Sequence, residues 1–132
     1  MDRLKTRIEH AQMALKSFEL IAGIAKPSDE QRDAAIKRFE YTFETAWKAA
    51  QAYIIDKEGG EASSPKTSIR ASKAAGLIND VETEMALSMA DDRNLAAHTY
   101  NEKLAQELYP KLAGYARLAR KWLDAIVARQ GK

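Results

Sequence analysis

The chain has 132 residues, 21 basic against 19 acidic side chains for a formal net charge of +2, and no cysteine. That length is most simply one domain, residues 1–132, long enough to bury a core without covalent staples. The missing cysteines exclude disulfides, thiolate metal sites and cysteine nucleophiles, and the near-balanced charge argues against a protein that coats DNA, while leaving room for a local basic patch.

Helix formers dominate the composition, with only three prolines and six glycines. The first segment, Met1 to Arg7, is charged throughout and is not followed by an apolar stretch, so it does not read as a secretory signal. No run of about 18 apolar residues occurs, so no membrane span is expected and the protein is read as cytoplasmic. Leu4, Ile8, Ala11, Leu15, Phe18 and Ala22 repeat at spacings of three and four, the stripe of an amphipathic helix, which Gly23 to Pro27 ends. Ser28 and Gln31 have the form of a capping box. Behind it Ile36, Phe39, Phe43, Trp47, Ala50 and Ile54 make a second long stripe, stopping near Gly59-Gly60.

Ser64-Pro65 opens a short third helix, with Gly76 past its end. Asn79 and Asp80 can cap a fourth, carrying Val81, Met85, Leu87 and Met89 toward Arg93. Asn101 is placed to cap a last helical region reaching about Arg129, with Leu104, Leu108, Leu112, Tyr115, Ala119, Trp122 and Ile126 as its apolar stripe. Pro110 falls inside that pattern and should kink or split it. No strand pattern or repeat is present. The expectation is an all-α, five-segment up-and-down helical bundle, with Phe43, Trp47, Trp122, Met85 and Met89 as core residues.

The chemistry-bearing stretch is Arg93-Asn94-Leu95-Ala96-Ala97-His98-Thr99-Tyr100. An arginine that holds phosphate beside an imidazole that moves protons is sufficient equipment for metal-free phosphodiester cleavage. In an unbroken helix Arg93 and His98 would project roughly 140° apart. They serve one phosphate only if the helix ends between them, or if two chains share the site. Asn101 as the next cap places such a break. A histidine at a helix end faces the negative end of the helix dipole, a setting suited to accepting and donating a proton. Asn94 could bind substrate or orient His98. A lone Arg–His spacing also arises by chance, and a helix-terminal histidine often only packs.

Asp91 and Asp92 project about 100° apart with no third ligand at a suitable spacing, and His10 stands alone on the polar side of the first helix. No metal and no cofactor are expected. Lys66, Arg70 and Lys73 form a basic edge, read mainly as a solvated face.

The segment Arg38 to Lys48 (Arg-Phe-Glu-Tyr-Thr-Phe-Glu-Thr-Ala-Trp-Lys) resembles the signature helix of the small nucleotidyltransferase substrate-binding proteins. Ser64-Pro65, Ile69-Arg70, Ala75-Gly76-Leu77-Ile78 and Asp92-Arg93-Asn94 through Glu102 continue the resemblance in order. These proteins belong to the HEPN superfamily, whose members are helical bundles that commonly dimerise with their Arg–His motifs facing. The resemblance implies a minimal nucleotidyltransferase (MNT) partner and two readings. In one, the chain is a toxin, a metal-independent ribonuclease acting on RNA and silenced when MNT transfers AMP to a tyrosine. In the other, it is a non-catalytic substrate-binding subunit of the nucleotidyltransferase. By the same resemblance Arg93, Asn94 and His98 match the catalytic positions and Tyr100 the AMP acceptor. Glu84-Met85 departs from the tryptophan that relatives often carry, which should alter local packing only, and Pro110 lies outside the matched motifs.

Overall fold

The computed structural model describes residues 3–131. Six α-helices follow in order: α1 (Arg3–Glu19), α2 (Asp29–Tyr53), α3 (Pro65–Ala74), α4 (Asp80–Leu95), α5 (Glu102–Leu108) and α6 (Leu112–Gln130). Short helical turns of other pitch extend three of them. A π turn at Ile54–Glu58 continues α2, a 3-10 turn at Ala96–His98 continues α4, and another at Tyr109–Lys111 joins α5 to α6. No strand occurs among the described residues. The all-α expectation holds, and the last helical region is split at Pro110 as expected, because a proline there cannot donate its backbone hydrogen bond.

The helix starts lie where local chemistry puts them. Ser28 and Gln31, Ser64 and Thr67, and Asn79 and Glu82 each complete a reciprocal capping box, satisfying backbone N–H groups that a helix start leaves unpaired. Asn101 accepts from the backbone N–H groups of Lys103 and Leu104. Gly59 closes the π turn with φ of +67°, a left-handed conformation that only glycine adopts cheaply.

Helices α1 and α2 form an antiparallel pair. Arg38 donates to the carbonyl of Ser17 at 2.9 Å, Thr42 to that of Ala14 at 3.2 Å, and Arg7 to the side chain of Gln51 at 2.9 Å. These partners run in opposite directions along the two helices. The pair closes on α6 through aromatic rings: Phe18 lies 6.1 Å from Phe39, which stacks on Tyr115 at 5.4 Å. Helix α3 is held from the other side, where the indole N–H of buried Trp122 donates to the Ser72 hydroxyl at 3.1 Å.

The fourth helix packs differently from its expected stripe. Its buried face includes Thr83, Ala86, Met89 and Ala90. Val81 is 73% exposed and Met85 39% exposed, so neither belongs to the core. Small side chains at spacings of three and four let α4 approach α3 and α6 closely, with Val81 and Met85 turned outward. Glu84 is exposed alongside Met85, so that departure from the resembled pattern falls on the surface.

Trp122→Ala should remove the largest fully buried side chain and leave the Ser72 hydroxyl only its bond to the Ser68 carbonyl. A loss of about 3–5 kcal/mol is expected, measurable as a drop in the urea midpoint at unchanged slope.

Candidate functional site

The end of α4 is fastened to the core by a buried carboxylate. Asp92 turns inward and is only 7% exposed. The Tyr115 hydroxyl on α6 donates to its Oδ2 at 2.6 Å and the Lys111 ammonium lies 3.3 Å from the same oxygen. Burial, and then the hydrogen bond to Asp92, push the Tyr115 phenol up from its ordinary range. With Asp92 directed inward, its helical neighbour Arg93 projects about 100° around the axis, toward α2. There it pairs with Glu44.

Glu44 collects three donors. Arg93 and the Trp47 indole N–H (3.4 Å) share Oε1, while the Lys48 ammonium holds Oε2 at 3.1 Å. Partial burial alone would raise this carboxyl, but the Lys48 hydrogen bond, the Arg93 charge and the Trp47 donor together hold it below the usual carboxylate range.

Beyond Leu95 the helix tightens into the 3-10 turn and stops. Thr99 donates from its hydroxyl to the Ala96 carbonyl at 3.0 Å, and the Asn101 backbone N–H donates to the His98 carbonyl at 3.0 Å. This supplies the break needed between Arg93 and Asn101. Helix α5 is tied down in turn by Arg32, whose guanidinium grips both oxygens of Glu102. The segment between these anchors carries His98 and Tyr100. His98 Nδ1 lies 3.4 Å from the Tyr100 hydroxyl, the rings meet edge to face at 5.9 Å, and Tyr100 is 86% exposed.

Of the sequence-derived residues, His98 and Tyr100 are brought together. Arg93 is turned to Glu44 and makes no hydrogen bond to His98 or Tyr100 within this chain. Asn94 is exposed and borders a shallow recess with Ser64, Pro65 and Lys66. The basic edge of α3 is largely paired, Lys66 with Asp91 at 2.7 Å and Lys73 with Asp80 at 3.2 Å. Among the described residues no group of three metal-capable side chains occurs, and no helix is long and apolar enough to cross a membrane. Sequence reasoning assigned no part in the site to Glu44, Tyr115 or Lys111. Glu44 sits within the segment Arg38 to Lys48, but its partner is 49 residues away and no local spacing announces it.

Residues 6–128 match the family model described as nucleotidyltransferase substrate binding protein like. A Thermus thermophilus protein of solved structure is 49% identical, with a TM-score of 0.86 over 88% of this chain and 98% of that one. A tri-AMPylated Shewanella oneidensis HEPN toxin, solved in complex with an MNT antitoxin, is 17% identical with a TM-score of 0.73 over 98% of this chain and 99% of that one. A Haemophilus influenzae protein, described as having the fold of a substrate binding domain of a nucleotidyltransferase, is 21% identical with a TM-score of 0.64 over 94% and 96%. At those lower identities the likeness is one of fold. No curated protein matches the chain.

Two outcomes test this geometry. Tyr115→Phe should leave a buried carboxylate short of a donor and cost about 1–3 kcal/mol, read from urea unfolding. Glu44 has a folded-state carboxyl held below its unfolded value of about 4.3. Its contribution is complete above that pH and is lost as pH falls through the lowered value. Glu44→Gln should therefore narrow the difference in urea midpoint between neutral and acid solution.

Proposed function

The chain belongs to the nucleotidyltransferase substrate binding protein-like family, and on that premise we propose that it is a HEPN toxin, a metal-independent endoribonuclease held in check by a minimal nucleotidyltransferase. The observation that carries the reading is the exposed pairing of His98 with Tyr100, just beyond Arg93, on a segment anchored at both ends.

In this mechanism the ribose 2′-oxygen attacks the adjacent phosphorus and the 5′-oxygen of the next nucleotide leaves. One imidazole accepts the 2′ proton and another protonates the leaving oxygen. Arg93 stabilises the charge developing on the phosphoryl oxygens, exchanging the carboxylate of Glu44 for the substrate. A single chain offers one such imidazole, so the complete site is a homodimer in which two copies face each other. Asn94, exposed beside Arg93, holds the substrate. The products are a 2′,3′-cyclic phosphate and a 5′-hydroxyl.

Tyr100 is the AMP acceptor. Its oxygen attacks the α-phosphorus of ATP, pyrophosphate departs and the phenolic proton goes to solvent. The attached phosphate would stand beside His98, adding bulk and negative charge where the RNA phosphate must sit. The high exposure of Tyr100 supports its access to a partner enzyme.

The second reading is a non-catalytic subunit that presents substrate to the nucleotidyltransferase. The prior engagement of Arg93 by Glu44 favours it, since the arginine already has a counter-ion. The test is RNA cleavage in EDTA by chain whose intact mass shows no AMP. Wild type should cleave, His98→Ala should lose on the order of 10²–10⁴-fold, and Tyr100→Phe should keep activity while escaping silencing. Absence of cleavage by wild type would leave the binding-subunit reading in its place.

A further inference from the structure

A groove of about 540 Å³ opens not over His98 but between α1 and α2. Its α1 wall presents Arg3, Arg7 and His10, and its α2 wall Lys48. Positions 3, 7 and 10 fall on one face of a helix, about 10 Å from end to end at 1.5 Å per residue. Thr6 and Thr45 add hydroxyls between the charges, and among the described residues the one acidic side chain lining the groove is Glu44.

Glu44 does not make the groove acidic. Its carboxylate is already shared by Lys48 and Arg93, so the lining and its border carry a clear positive excess. That excess is local, because the chain as a whole has a net charge of only +2. A cleft lined by one sign of charge concentrates its field on a ligand of opposite sign. Arg7 is held in place by Gln51 and the Lys48 carbonyl through one guanidinium nitrogen, Nη1, which orients its remaining donors without consuming them.

We infer that this groove is a backbone-binding track for single-stranded RNA, leading past Glu44 to Arg93. The inference rests on the nuclease reading for the identity of the polyanion. Three features favour a short stretch of nucleic-acid backbone. The volume suits a short ligand segment. The donors are Arg, Lys and Thr, the side chains that hold phosphate and sugar oxygens. No phenylalanine, tyrosine or tryptophan lines the groove, so it grips backbone rather than stacking bases. The Arg93–Glu44 pair stands at the junction, where a strand lying along the groove brings its next phosphate up to the arginine.

The experiment measures binding of a labelled single-stranded RNA by fluorescence anisotropy over a range of salt concentrations, with His98→Ala as the parent so that the RNA stays intact. Arg3→Glu with His10→Glu reverses the exposed α1 wall. Arg7→Gln with Lys48→Gln neutralises the inner one, circular dichroism confirming the fold of each. Arg117→Glu, a reversal on α6 outside the groove, is the control. Expected are a loss of affinity on the order of tenfold for either groove variant and a slope of log K against log salt shallower by about 0.7 for each phosphate contact removed, with the control unchanged. Groove variants that match the parent in affinity and slope, or an equal loss in the control, would overturn the inference. So would a parent that binds no RNA. Loss of binding in the groove variants supports the track even if the wild type cleaves nothing. In that case the nuclease reading falls and the RNA-binding groove stands.

Discussion

The direction of the arginine in the candidate site depends on one carboxylate turned into the core. Asp92 is held beneath the last turn of α4 by the Tyr115 hydroxyl and the Lys111 ammonium. A buried charge without partners is costly enough to unfold a helix end; with them it becomes a fixed point. The rotation of α4 follows, and with it the direction of Arg93. Because Tyr115 also stacks on Phe39, the same side chain joins the aromatic core to the end of the helix that bears the candidate residues. Site and core are thus one packing problem, with Asp92 at the boundary.

The second anchor lies across the break. Arg32 and Glu102 fasten the start of α5 to the start of α2, and Asn101 caps that helix with its own side chain. Between the two anchors, His98 and Tyr100 are placed by local geometry, through a 3-10 turn and a few hydrogen bonds within the segment. The arginine is placed by tertiary contacts and the histidine–tyrosine pair by short-range ones. This division lets the pair stand out in solvent, Tyr100 nearly fully exposed, while Arg93 stays half-buried against α2.

How much of this was legible in the sequence follows the range of each interaction. Capping is local, so Ser28, Ser64, Asn79 and Asn101 marked the helix starts correctly, and Pro110 marked the kink. The stripes of α1, α2 and the last helical region were equally legible, since one side of each is apolar. Helix α4 was not, because its buried face is built from Thr83, Ala86 and Ala90 beside Met89, and small residues carry little hydropathy signal. Val81 and Met85 therefore looked like core and are surface. In the candidate site, the helix break between Arg93 and Asn101 was visible. The counter-ion Glu44 was not, since a pair separated by 49 residues leaves no periodic trace in either helix.

The hydrogen bond from Trp47 to Glu44 gives the molecule an optical property of its own. The chain has two tryptophans, and Trp122 is sealed in the core against Ser72, so its emission is a steady background. Trp47 instead donates to the very oxygen that Arg93 holds. Whatever draws Arg93 away alters the charge borne beside that indole, and with it the energy of its excited state. Displacement of Arg93 from Glu44 should therefore shift the protein's native fluorescence, with no label attached.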